Sequence, residues 1–304
     1  MIRKPRVALV SAQPRPEVNT DHDMPQLVEA VLGAGAEAVV TAWDDQTIPW
    51  GSFDLVVIRS PWDYSWRSLE FLRWLDRCAA LTTVMNGPDV IHWNADKTYL
   101  RHLAQSSVPV VPTEYLRPGE LIALPQDVEF VVKPSVGAGA RHAARYQPGD
   151  RDAAEAHVLR LHAERTTAMV QPYIREIDAV GERALVYIDG KFLHAIRKDA
   201  VLTPGLRFDD RRDGHPGAAP WVPGDAELAV AQRAIDAIPF DQRLLYTRVD
   251  MVTSPESGVV VTELELIEPG LYLRFHPGSE ARVAEAIIGM AERAMQPATL
   301  PVAT

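Results

Sequence analysis

Three carboxylates near the C-terminal end of the chain are spaced for metal chemistry. Side chains alternate along a strand, so in the run 259–269 Glu263 and Glu265 face one way. Leu264 and Leu266 face the other way, into a core. The apolar run 245–252 and the turn residues 254–258 before it predict a hairpin, which places Asp250 on the same face as the two glutamates. Carboxylates crowded on one face repel each other unless cations compensate them. Magnesium, bound through carboxylates and nucleotide phosphates, is a natural compensation. A solvated strand face with alternating Glu is the plainer alternative.

The lysines point to an anionic ligand. Lys133 ends the apolar strand 130–134, where a lysine is unusual unless its ammonium reaches a partner. A small, flexible segment follows, with Gly137 and Gly139. Such a loop can lay backbone N–H groups against phosphates. It is neither a P-loop nor a dinucleotide fingerprint, because it lacks Gly-Lys-Ser/Thr and a third glycine. A hairpin turn with a snorkelling lysine explains it as simply. Lys97 is read as opening a helix over 94–105. Gln171, Pro172, Tyr173 and Ile174 form an extended hinge able to offer backbone groups to a flat heterocycle, or else a strand crossing between lobes.

These residues need elements to hold them. Apolar runs at 7–10, 38–40, 54–58 and 83–86 alternate with helical patterns at 24–32 and 66–81. That order predicts a parallel, helix-covered sheet over about residues 1–90. Further along come strands at 130–134 and 168–174, a helix at 153–165 and a hairpin about Asp189-Gly190. A final helix spans about 280–295. Antiparallel hairpins after a parallel lobe indicate α+β subdomains, divided as 91–172 and 173–296, with 297–304 as a tail. The segment 199–225 is rich in Pro, Gly, Asp and Arg and reads as a long loop.

Composition narrows the function classes. The chain has 304 residues, with 31 Lys and Arg against 41 Asp and Glu, for a net charge of −10. That balance argues against nucleic acid as a partner, since phosphate neutralisation needs a local basic excess. One cysteine, Cys78, rules out an internal disulfide and Cys-rich zinc sites. No apolar run reaches membrane-spanning length, and no long apolar segment follows the basic N-terminus. A cytoplasmic protein without a membrane partner is the expectation.

Taken in order, these pieces resemble the ATP-grasp superfamily of carboxylate–amine ligases. The matching residues are Lys97, Lys133 with its glycine loop, the 171–174 hinge, Glu182, Arg197, Asp250, Glu263 and Glu265. Within it the chain is most similar to the O-ureido-serine cyclo-ligase family of cycloserine biosynthesis. Arg59-Ser60-Pro61-Trp62, His194-Ala195-Ile196, Arg248-Val249-Asp250 and Glu268-Pro269 carry that closer likeness. The resemblance implies an ATP-grasp fold: a parallel α/β lobe followed by two α+β subdomains that clamp ATP.

It also implies roles. Lys97 and Lys133 would contact ATP phosphates, with Gly137 and Gly139 in a lid over them. Gln171, Tyr173 and Ile174 would line the adenine, and Glu182 would reach the ribose. Asp250, Glu263 and Glu265 would hold Mg2+; many relatives carry Asn where Glu265 stands. Arg197 and Arg248 would stabilise charge on an acyl phosphate, or else pair with the metal carboxylates. Arg59 would hold a substrate carboxylate, or pair with Asp63 in a turn. Trp62 and Tyr64 would wall a pocket for a small amino-acid-like substrate, or pack between lobes. Such relatives are often dimers, so a homodimer is the assembly the resemblance suggests. Alternatives are a dipeptide or glutathione-synthetase-like ligase and a non-catalytic nucleotide-binding module.

Overall fold

The computed structural model describes residues 3–15, 20–202 and 217–296. In chain order the first elements are β1 (Arg6–Ser11), α1 (Met24–Gly33), β2 (Glu37–Ala42), β3 (Leu55–Ser60), α2 (Ser68–Ala79) and β4 (Thr83–Met85). The four strands form a parallel sheet in the order β2-β1-β3-β4. β3 is buried along its whole length, as a strand covered on both faces must be. One side packs on α2 through Phe71, Trp74, Leu75 and Cys78. Buried Cys78 is therefore core.

Next come α3 (Pro88–Asn94), α4 (Tyr99–Gln105), β5 (Glu114–Leu116), β6 (Phe130–Pro134), β7 (Ala144–Tyr146), α5 (Arg151–Ala163) and β8 (Ala168–Pro172). The continuous helix read over 94–105 is broken. Asp96 accepts the Thr98 N–H at 2.9 Å, and the Lys97 N–H turns away to the Ser135 carbonyl at 2.7 Å. A short Asp side chain competing for backbone N–H groups breaks the helix there. The break ties Lys97 to the end of β6. The second sheet, order β5-β8-β6-β7, is antiparallel and packs on α5.

The remaining elements are α6 (Glu176–Val180), β9 (Glu182–Ile188), β10 (Lys191–Lys198), β11 (Ala218–Trp221), α7 (Asp225–Asp236), β12 (Tyr246–Ser254), β13 (Gly258–Glu265) and α8 (Ser279–Ala294). Both expected hairpins form, in an antiparallel sheet ordered β11-β10-β9-β12-β13. The segment read as a loop over 199–225 contains β11, an edge strand on β10. Pro220 is tolerated there because an edge strand has one free side. Residues 203–216 of that segment, and the expected tail 297–304, lie outside the described residues.

Two cores sandwich the third sheet. Leu185, Val249, Met251 and Leu264 pack on α7 and α4. Val186, Ile188 and Tyr246 join α8, α1 and the parallel sheet. The final helix therefore fastens the first lobe to the last. No helix among the described residues is long and apolar enough to cross a membrane.

β13 lies at a sheet edge, and its outer backbone groups are covered by side chains. The Val261 carbonyl accepts the Val111 N–H at 3.1 Å. The Leu264 N–H donates to the Tyr99 hydroxyl at 2.9 Å. Asn94 donates to the Leu264 carbonyl at 2.8 Å and accepts from the Leu266 N–H at 2.9 Å. Asn86 donates to the Leu266 carbonyl at 2.7 Å. An Asn94→Leu substitution strands two of these buried groups, each at a cost of about 1–3 kcal/mol. Urea denaturation should show that loss; wild-type stability would mean the edge does not depend on Asn94.

His194 stacks on His276, with centroids 4.1 Å apart, and bonds the Leu271 carbonyl through Nε2 at 2.8 Å. Burial pushes its pKa down to about 4; the Leu271 carbonyl opposes this, and His276 and Arg282 add to it. The unfolded chain then binds the extra proton first, so stability is full above the ordinary value of 6.5 and falls toward pH 4. Between pH 7 and 4 the wild type should lose about 3 kcal/mol more than His194→Gln. Parallel pH profiles for the two proteins would disprove this.

Candidate active site

A cavity of about 970 Å³ opens between the three sheets. Its floor is the polar face of the third sheet. Register pairs Lys198 with Glu182, Asp250 with Glu263, and Arg248 with Glu265. Alternation sends the intervening Val249 and Leu264 into the core below. Carboxylate oxygens of Asp250, Glu263 and Glu265 all lie within 4.8 Å of one another.

Cations hold this cluster together. Arg248 Nε lies 2.8 Å from one Asp250 oxygen, and its Nη2 is 2.9 Å from the other and bonds Glu265. Lys198, 1% exposed, bridges Asp250 at 2.5 Å and Glu182 at 2.7 Å. Lys97 Nζ is 3.0 Å from Glu263 and donates to the Gly137 carbonyl. Burial opposes the Asp250 charge, but Arg248 and Lys198 outweigh it and hold its carboxyl below the usual range. Burial also raises Glu265 well above that range; Arg248 opposes this, while Glu263 and Asp250 add to it. Burial works against the Lys97 ammonium, and Glu263 outweighs it.

The donor set fits magnesium. It consists of hard oxygens on adjacent strands, with the nearby cations placed to meet phosphate. Lys133 lines the same cavity and forms no ion pair among the described residues. Its withdrawal from water, with Lys97 nearby, lowers its pKa.

The glycine loop and hinge close the other side. Gly137 and Gly139 line the cavity, and Gly139 takes a left-handed φ of +61°. Arg141 lies over the Trp66 ring at 3.9 Å, joining this loop to the first lobe. Gln171, Tyr173 and Ile174 line the cavity at the end of β8. Gln171 donates to Thr113 at 2.7 Å, and the Tyr173 hydroxyl donates to Asp178 at 2.6 Å. Glu182 accepts from Thr262 besides pairing with Lys198.

Some expected residues stand elsewhere. Arg197 does not line the cavity; it faces away from Lys198 and pairs with Asp199 at 3.1 Å. Arg59 is 1% exposed and lies behind the cavity wall. It donates to the Pro269 carbonyl at 3.2 Å, and its nearest carboxylate is Asp21 at 3.8 Å, not Asp63. Tyr64 is buried against Phe71, with its phenol toward Glu268, and only Trp62 of the expected substrate residues lines the cavity. The sequence pattern puts the second strand of the Asp189-Gly190 hairpin at 191–196 and so misses Lys198. Continuing the parity of buried His194 and Ile196 would have found it. The pattern also leaves Glu268 without a role.

Residues 7–86 match the family model for the N-terminal domain of D-cycloserine synthetase DcsG. The cycloserine biosynthesis protein DcsG of Streptomyces lavendulae is 36% identical over 287 residues, covering 88% of this chain and 93% of that protein. The chain belongs to the DcsG family. A crystal structure of D-cycloserine synthetase DcsG superposes with a TM-score of 0.85 at 35% identity, covering 95% and 99% of the two chains. D-alanine–D-alanine ligase of Bacillus anthracis, solved with ATP, shares the fold at a TM-score of 0.65 and 14% identity, over 95% of this chain and 98% of that one. The fold is that of the ATP-grasp ligases, and a member of the DcsG family is an ATP-dependent ligase.

Lys198 is the member of the charge cluster with no exposed alternative. Lys198→Met leaves Asp250 and Glu182 facing each other without it, at a cost of about 3–5 kcal/mol. Chemical denaturation without added metal checks this. A variant as stable as the wild type would show that Arg248 suffices.

Proposed function

We propose that the chain is a magnesium-dependent ligase that activates the carboxylate of an amino-acid-like substrate for attack by nitrogen. The observation that carries this reading is the convergence of Asp250, Glu263 and Glu265 beside Lys97, Lys133, Lys198 and Arg248. Such a face serves a polyphosphate with its cation and little else. Residues 1–90 form the substrate lobe, and 91–172 with 173–296 form the clamp. In this reading the substrate is of the O-ureidoserine type, as the sequence resemblance implies, and it closes onto its own nitrogen to give cycloserine, the compound that the family's namesakes are named for.

Each residue has a task in this reading. Asp250, Glu263 and Glu265 hold the metal. Bound there, magnesium neutralises phosphate oxygens and keeps the transferring group in line. Lys97, Lys133 and Lys198 contact the phosphates. Gly137 and Gly139 cover them. Gln171, Tyr173 and Ile174 line the adenine, and Glu182 reaches the ribose. Arg248, fixed by two carboxylates and the Gly270 carbonyl, directs its one remaining N–H at charge growing on the activated carboxyl. Trp62 walls the substrate. Arg59 and Tyr64 support that wall from behind.

The products of this reaction are an acyl phosphate with ADP, and then an amide with inorganic phosphate. An ADP-release screen over amino acids, dipeptides and O-ureidoserine tests it. Magnesium-dependent release with one of them is the expected outcome, and silence across the panel would refute it. Glu263→Gln should lower turnover by about 100-fold or more while the fold survives, since a neutral amide binds the metal far less well. Full activity in that variant would remove Glu263 from the metal set.

A further inference from the structure

One carboxylate in the cavity has no part in the cluster. Glu268 lines the cavity yet is only 6% exposed. It is not among the three carboxylates that converge within 4.8 Å. Among the described residues the site's salt bridges run to Glu263, Glu265, Asp250 and Glu182, and none reaches Glu268. Its side chain faces the Tyr64 phenol. A carboxylate accepts up to about four hydrogen bonds, so capacity remains on the side open to the cavity. A buried carboxylate without a cation is costly unless something else meets it.

The backbone around Glu268 is held unusually firmly. Three consecutive carbonyls are each bonded by a different side chain. Trp62 Nε1 donates to the Glu268 carbonyl at 3.4 Å, Arg59 to Pro269 at 3.2 Å and Arg248 to Gly270 at 3.2 Å. The first two donors come from the parallel lobe, and the third from the carboxylate cluster. A side chain carried on such a support is placed for chemistry, not for solvation.

We propose that Glu268 accepts the proton of the attacking nitrogen. This rests on the reading above, in which an acyl phosphate forms beside Arg248. The nitrogen lone pair then forms the C–N bond. The C–O bond to phosphate breaks, and inorganic phosphate leaves with its electron pair. The N–H proton passes to a Glu268 oxygen and from there to water as product departs. The Tyr64 phenol flanks the carboxylate, and the bonded carbonyls of residues 268–270 fix the turn that carries it. The group recognised is therefore a nitrogen bearing a proton, and the subsite for it lies between Trp62, Glu268 and Arg248.

Hydroxylamine separates the two halves of the reaction. It traps acyl phosphates as hydroxamates without needing a protein base. Enzyme, ATP, magnesium and O-ureidoserine, or the amino acid selected by the ADP screen, are assayed with and without hydroxylamine. In Glu268→Gln the hydroxamate rate should stay within about threefold of wild type, while native product falls by at least ~100-fold. Loss of both to the same degree, or of neither, overturns the assignment. Glu268→Asp provides the same comparison if the amide variant does not fold; its shorter carboxylate should keep part of the product rate, with the hydroxamate rate again within about threefold of wild type. No hydroxamate from the wild type would refute the acyl phosphate itself, a failure visible before any variant is made.

Discussion

Like charges on one face of a sheet set the terms for the rest of this molecule. Asp250, Glu263 and Glu265 stand on adjacent strands, and alternation leaves them no choice of direction while Val249 and Leu264 are buried beneath. Their mutual repulsion is strong at low dielectric. The fold answers with Arg248 from the same strand as Asp250, Lys198 from two strands away and Lys97 from a separate turn. Each answer comes from a different element. The cluster therefore ties together parts of the chain that are distant in sequence, and it also makes a surface that a metal and phosphates can share.

This arrangement needs β13 to stay in register. An edge strand is free to slip or to pair with another chain. Here Tyr99, Asn94 and Asn86 occupy its outer hydrogen-bonding groups one after another. Those side chains come from the segment that joins the parallel lobe to the second sheet. The strand carrying Glu263 and Glu265 is thus indexed by side chains that follow the parallel lobe. Tyr246 adds to this from beneath, with its hydroxyl among carbonyls of β3 and the end of β13.

Much of this was legible in the sequence because it follows from periodicity. Alternation put Glu263 and Glu265 together, and hairpin counting put Asp250 opposite them. The glycine loop and the hinge line the cavity where ligand contacts were expected. The errors have physical causes. Arg197 and Lys198 differ by one residue, so ending the strand early exchanged an outward arginine for the buried lysine. The break at Asp96 joins a local bond, from the Thr98 N–H to Asp96, to a distant one, from the Lys97 N–H to Ser135, and no local pattern encodes the second. Arg59 follows a buried strand, as a ligand-binding arginine would, yet its partners are a carbonyl 210 positions away and Asp21. Long-range polar contacts of this kind have no sequence period.

Arg59 is not among the residues that line the cavity, yet it helps to hold the site. Its guanidinium is taken out of water and bonded to the Pro269 carbonyl. Burying that charge is justified only by what it fixes. What it fixes is the turn after β13, with Glu268 before the bonded carbonyl and Gly270, bonded to Arg248, after it. A shift of the parallel lobe would move Trp62 and Arg59 together, and with them the turn. The placement of Glu268 relative to Arg248 is therefore coupled to the position of the parallel lobe. In the proposed reaction, the room for substrate and the approach of the nitrogen would both depend on that one contact.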